Sequence, residues 1–222
     1  MSVARNTLVQ SSLTLASRVL GMVRDILLVA RIGAGPVGDA WATAQQFPNL
    51  FRRIFAEGAF ASAFVPTYAR TLEAEGPEAA RAVAQEAMRV LFAATAALTI
   101  LAQIFMPWVL LLIHGGQADD AENYNLAVFL TRVTMPYLTF MALAALLSGV
   151  LNSSERFILS AGVPTILNLC LIPAAFVSPD PVITAKAASI AYFIAGVLQA
   201  GALWWGVRRQ KVHLSLIGLP RL

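Results

Sequence analysis

A single cysteine, Cys170, in 222 residues excludes a disulfide framework and a thiolate metal site. The two histidines, His114 and His213, stand about one hundred residues apart, without the i, i+4 spacing of a helical metal pair. Charge is scarce too: 13% of residues are Asp, Glu, Lys or Arg, where a soluble domain carries about 25%. The basic residues leave a formal net charge of +4 but gather into no patch with interleaved aromatics, which argues against a nucleic-acid partner. No nucleophile, base and orienting group form a constellation, so the chain is not expected to be an enzyme or to carry a metal or cofactor. The opening MSVARNTLVQSS lacks a compact apolar core followed by a small-residue cleavage site. It does not read as a removable signal peptide, and the first hydrophobic segment is expected to stay in the mature protein.

What abounds is apolar. Hydrophobic residues make up 58% of the chain, and the mean hydropathy is +0.70. These values place the chain among all-α integral membrane proteins. About 20 apolar residues cross a hydrocarbon core roughly 30 Å thick, and six such runs lie near 10–32, 40–69, 86–113, 124–151, 157–178 and 183–207. The connections GAGPVGD, LEAEGPEAA, HGGQADDAEN, LNSSERF and SPDPVIT carry the Gly, Pro, Asn, Asp and Ser of turns between antiparallel spans. Arg5, Arg70, Arg81, Arg89, Arg156, Arg208, Arg209, Lys211 and Arg221 fall on one side of this alternation. The other side holds Lys186 with Asp39, Asp119, Asp120, Glu122 and Asp180. Because cytoplasmic loops retain Lys and Arg, both termini are predicted to be cytoplasmic. Trp204 and Trp205 suit an interfacial anchor at the inner leaflet and Trp108 one at the outer; packing against neighbouring helices is the plainer alternative.

The first two spans carry charges that a bilayer disfavours. A charge at the centre of a spanning helix costs roughly 2.5 to 3.5 kcal/mol on insertion scales. In SRVLGMVRDILLVARIGAGPVGDA, Arg18 and Arg31 lie about 20 Å apart along a helix, too far for all the charges to snorkel to one surface. Helical periodicity puts Arg18, Gly21 and Asp25 on one stripe and Arg24 with Arg31 on a second. In DAWATAQQFPNLFRRIFAEGAFASAFVP, Gln45, Asn49 and Arg52 share a strip, and Gln46, Asn49, Arg53 and Glu57 form a neighbouring one, with Arg53 and Glu57 spaced to pair. Pro48 and Pro66 cannot donate to the carbonyls of Ala44 and Ser62, so a kink or break is predicted near each. Gly21, Pro48 and Pro66 are the candidate hinge positions. Five arginines, Arg18, Arg24, Arg31, Arg52 and Arg53, outnumber Asp25, Asp39 and Glu57. That surplus points to a shared cationic wall facing water, an anion, or both, and arginine in place of lysine favours bidentate phosphate or carboxylate recognition. Structural pairing and gating without ligand contact are the other two readings.

GAGPVG at 33–38 satisfies G-x-G-x-x-G, but a dinucleotide site needs a strand before it and here a helix is expected, so a tight loop or hinge is the better reading. NSS at 152–154 falls on the predicted cytoplasmic side, where glycosylation has no place. Asp119, Asp120 and Glu122 read as a solvated acidic loop rather than a cation site.

The segments SRVLGMVRDILLVARIGAGPVGDAW and FPNLFRRIFAEGAFASAFVP, with TMPYLTFMALAALLSGVLNSSERF and PTILNLCLI beyond them, resemble the MurJ (MviN) family. These are bacterial flippases for lipid-linked peptidoglycan precursors, within the multidrug/oligosaccharidyl-lipid/polysaccharide exporter superfamily. The resemblance implies two pseudo-symmetric six-helix lobes around a central cavity, followed by two helices that form a lipid-tail groove. Arg18, Arg24 and Arg52 match the family's cavity arginines, which engage the substrate diphosphate or hold the functional conformation, and Arg53 is carried over beside them. Asp25 and Asp39 match acidic gating positions, Glu57 matches the glutamate of AEGAF, and Arg31 is grouped with these as an ion-pairing position. The implied activity is movement of the undecaprenyl-diphosphate-linked disaccharide peptide, lipid II, from inner to outer leaflet of the bacterial cytoplasmic membrane, without covalent chemistry.

Residues 1–222 match only the N-terminal lobe, one half of a two-lobed transporter built here from six transmembrane helices. Alternating access needs two bundles rocking around a site, so the lobe is expected to require the missing C-terminal lobe or a partner chain. A fragment, half of a split transporter and a truncated paralogue are the alternatives. Export of another polyprenyl-linked polysaccharide or of organic cations, or a non-transporting scaffold in cell-wall synthesis, are the rival functions; the cationic surplus disfavours organic cations.

Overall fold

The computed structural model describes residues 3–54, 59–113, 121–154, 157–210 and 212–216. Among them are eight helices and no strand: α1 (Val3–Ile32), α2 (Pro36–Arg52), α3 (Ala59–Ala74), α4 (Pro77–Ile113), α5 (Ala121–Thr134), α6 (Tyr137–Ser153), α7 (Phe157–Ala174) and α8 (Pro181–Arg209). Four stretches are long and apolar enough to cross a membrane: α4, α5 with α6, α7 and α8. α1 has the length, at 30 residues, but not the apolar composition. The 37 residues of α4 rise about 55 Å, well beyond a hydrocarbon core of about 30 Å, so its ends must project from such a core.

Local chemistry sets the boundaries. α1 stops at Gly33 and Gly35, whose φ angles of 80° and 120° lie where side chains with a Cβ are strained. Pro36 then opens α2 at a position that needs no N–H. A Cβ added to Gly38 would sit 2.4 Å from the Gly33 carbonyl oxygen, so the turn closes on bare backbone. GAGPVG is therefore a tight helix–helix loop; α1, not a strand, precedes it. At the start of α8, Asp180 accepts hydrogen bonds from the N–H groups of Val182 (2.7 Å) and Ile183 (3.1 Å), an N-cap followed by Pro181 at the first helical position.

One of the six expected runs is divided among the described residues. The run at 124–151 breaks at Met135–Pro136 into α5 and α6, because Pro136 has no N–H for the carbonyl of Arg132. In the run at 40–69 the described residues are helical on both sides of 55–58, as α2 and α3. Pro48 and Pro66 both lie inside helices, so neither is a helix end. Beyond Arg52, Arg53 and Ile54 continue α2 as a wider, π-type turn.

The helices pack with α6 and α8 at the centre: α6 against α8, α4 and α3, and α8 also against α7 and α5. α1 rests on α7, and α2 rests on α5. Two apolar cores result. One, at the Gly33 end, gathers Leu28, Trp41, Met106, Leu110, Leu130 and Tyr192. The other, at the Gly76 end, gathers Phe64, Met88, Leu146, Leu147, Leu203 and Val207.

Side-chain hydrogen bonds link helices between these cores. Thr99 and Thr139 hydroxyls meet at 3.1 Å, Tyr137 donates to the Gln199 carbonyl oxygen at 3.0 Å, and Gln199 donates to the Val163 carbonyl at 3.1 Å. Gln103 donates to the Arg132 carbonyl at 2.7 Å, the acceptor that Pro136 leaves open. In an apolar surround an unmet backbone carbonyl is costly, so a broken helix needs such a donor. The two tryptophans near the end of α8 divide their roles. Trp205 is exposed beneath Arg209, whose guanidinium carbon lies 3.9 Å from the ring centroid, and Trp204 packs against the Gly76-end core.

Candidate functional site

The charged residues of α1 fall on different faces. Ser17, Leu28 and Ile32 are buried, and Leu13, Leu20, Gly21 and Arg24 are partly buried. Their spacing of three or four residues makes this the face that meets α7. Arg24 is at the centre of that face. Arg18 and Asp25 are exposed along its margin, beside an apolar exposed face of Val19, Met22, Val23 and Ile26.

Arg24 is held from two sides. Its Nε donates to Oδ1 of Asp25 at 2.9 Å, and Nη2 lies 2.7 Å from the same oxygen. From α7, Oδ1 of Asn168 accepts from Nη1 at 2.9 Å. The Asn168 side-chain N–H donates in turn to the Ser17 carbonyl at 2.9 Å. The arginine side chain is 15% exposed and the aspartate 57%, so the ion pair has one covered partner and one open to its surroundings. A guanidinium has five N–H groups; these contacts leave one N–H on each terminal nitrogen without a partner among the described residues.

The remaining predicted residues are distributed around this pair. Arg18 is exposed, with no ion pair among the described residues. Arg31 lies 5.6 Å from the Phe176 ring centroid, a cation–π contact with the α7–α8 connection rather than with an acid. Asp39 is exposed in the first turn of α2. On α2, Gln46, Asn49 and Arg53 are exposed and Gln45 is half-buried, so the open strip is the one that runs through Arg53. The Arg52 side chain and Glu57, and with it the Arg53–Glu57 pair, lie outside the described residues, as do His114, Asp119 and Asp120. α1 and α2 barely touch one another, and each contacts α8. Arg24 is thus bonded to α7 rather than to α2.

A family profile described as "Lipid II flippase MurJ" matches residues 28–218. The chain belongs to the MurJ lipid II flippase family. Its relatives include the "Probable lipid II flippase MurJ" of Rhizobium tropici, 41% identical over 97% of this chain and 42% of that protein. The protein of the same description from Rhizobium meliloti is 38% identical over 100% of this chain and 42% of its own length. The "Lipid II flippase MurJ" of Burkholderia cenocepacia is 37% identical over 100% of this chain and 43% of its own length. The chain spans about two fifths of the length of the curated relatives it matches. It is a membrane protein of a transporter family, not an enzyme.

Two residues escaped sequence reasoning. Asn168 reads as one polar residue in an apolar run, and only the fold brings it to Arg24. Arg132 was legible: it is an arginine inside YNLAVFLTRVTMPYL, as conspicuous as those of α1. Its Nη2 reaches toward the Ile104 carbonyl at 3.5 Å, and its buried Nε has no hydrogen-bond partner among the described residues.

Proposed function

We propose that residues 1–222 are the N-terminal six-helix lobe of a lipid II flippase, with both ends of the chain on the cytoplasmic side of the bacterial inner membrane. Together with a second lobe, it moves the undecaprenyl-diphosphate-linked disaccharide peptide from inner to outer leaflet by alternating access. The α1 and α2 strips form one side of the substrate route. Fixed guanidinium groups there replace hydration that the diphosphate loses in a low-dielectric layer. Arg18, Arg24, Arg52 and Arg53 are the diphosphate ligands, Asp25, Asp39, Glu57 and Arg31 exchange partners during gating, and Gly21, Pro48 and Pro66 absorb the bending.

The observation that carries this reading is Arg18, a cation on an open face of α1 without an ion pair among the described residues; Arg53 is likewise exposed on α2. Intramembrane cations without a protein partner are suited to an anionic ligand. The test is complementation with the full-length protein in cells depleted of their own flippase. Arg24→Ala or Arg52→Ala should insert normally yet abolish exposure of lipid II at the outer leaflet; normal growth on either variant contradicts the assignment.

A further inference from the structure

We propose that Asn168 is a positioning residue that orients the Arg24 guanidinium toward the anionic group of the substrate. The proposal rests on the reading of Arg24 as a diphosphate ligand.

Asn168 is 4% exposed in the otherwise apolar run ILNLCLIPA of α7, where an amide is costly unless both its ends are bonded. Both are: the oxygen accepts from Arg24 at 2.9 Å and the N–H donates to the Ser17 carbonyl at 2.9 Å. A flipped amide would set its N–H groups against the guanidinium and its oxygen against the carbonyl, so the chemistry of the two partners selects one orientation. Ser17 and Arg24 are seven residues apart, two turns of α1, and Gly21 lies between them. A Cβ there would stand 3.7 Å from the Asn168 oxygen, an ordinary van der Waals contact, so the amide lies directly against α1 at Gly21.

Asp25 alone cannot fix Arg24. It follows Arg24 directly on the same helix and its side chain is 57% exposed, so the pair could turn outward together. Asn168 ties the guanidinium to a second helix, holds it part-buried, and leaves donors on both terminal nitrogens. A ligand then meets a cation whose geometry is set beforehand, which is where preorganisation raises affinity.

The experiment measures binding of undecaprenyl diphosphate to the purified full-length protein in nanodiscs, with thermal unfolding in parallel. Asn168→Leu keeps the volume and removes both bonds; it should weaken binding about tenfold or more, the usual effect of losing a hydrogen bond to a charged group. The double variant Arg24→Ala/Asn168→Leu should bind no more weakly than Arg24→Ala, because Asn168 acts through Arg24. If Asn168→Leu does not accumulate in the membrane, Asn168→Ser, too short to reach Arg24, takes its place with the same expected loss. Wild-type affinity in the Asn168 variants beside a defective Arg24→Ala overturns the positioning role, as do additive losses in the double variant. Wild-type affinity in Arg24→Ala overturns the underlying reading of the arginine itself.

Discussion

The hydroxyl of Thr134 lies within hydrogen-bond distance of two carbonyl oxygens, that of Thr131 on its own helix at 3.0 Å and that of Ala44 at 3.1 Å, the acceptor that Pro48 leaves without its helical donor. α5 thus offers the open carbonyl of α2 a donor. Gln103 does the same for the Arg132 carbonyl opposite Pro136, although there the chain still turns between α5 and α6.

Removing the Thr134 hydroxyl with Thr134→Val should cost about 1 to 3 kcal/mol, since a fully buried acceptor loses its partner. Thermal unfolding of detergent-solubilised protein measures it. In a Pro48→Ala background residue 48 regains an N–H, and most of that loss should disappear. An equal loss in both backgrounds would show that the hydroxyl serves something other than Ala44.

Glycines in α8 separate into packed and open positions. A Cβ on Gly196 would lie 2.9 Å from Cδ2 of the buried Tyr137 and 3.1 Å from Cβ of Phe140, so Gly196→Ala forces α8 away from α6. A destabilisation of about 1 to 3 kcal/mol is expected. Gly201 has no atom within 4 Å of its added Cβ. Gly201→Ala should be neutral or stabilising by up to about 1 kcal/mol through helix propensity, and the two melting curves should therefore move in opposite directions or only the first should move.

Asp25 occupies one edge of the Arg24 guanidinium and competes with any anionic ligand through its charge. Asp25→Asn should tighten undecaprenyl diphosphate binding at least tenfold: one unit charge several ångströms away at an effective dielectric near 20 is worth about 2 to 4 kcal/mol, and the exposure of the Asp25 side chain reduces that. Weaker binding would show instead that Asp25 serves chiefly to hold Arg24 in place.

Orientation can be read from labelling. With Cys170 replaced by alanine, a cysteine at the exposed position Glu75 should resist a membrane-impermeant maleimide in intact spheroplasts and react after lysis. One at the exposed Pro179 should react in both. The reverse pattern would invert the topology inferred from the Lys and Arg distribution.

Much of the fold was legible in the sequence. Apolar length marked the four stretches long and apolar enough to cross a membrane, and the glycines of GAGPVG marked the first turn. A proline announces a missing N–H, but whether the helix stops depends also on the rest of its surroundings. Pro48, whose open carbonyl meets Thr134, sits inside a continuous helix, and Pro136 stands at a turn even though Gln103 reaches its carbonyl.

The site divides the same way. Composition and periodicity by themselves determined a membrane protein whose first helices carry more cations than acids, because charge count and helical angle are properties of the chain alone. Only the tertiary structure decided which arginine is held and which stand open. Arg24 and Arg31 share a stripe of α1, yet one meets Asn168 and the other meets Phe176. Those partners lie far along the chain, and helical spacing on α1 cannot specify which side chain of α7 or its following turn packs opposite each turn.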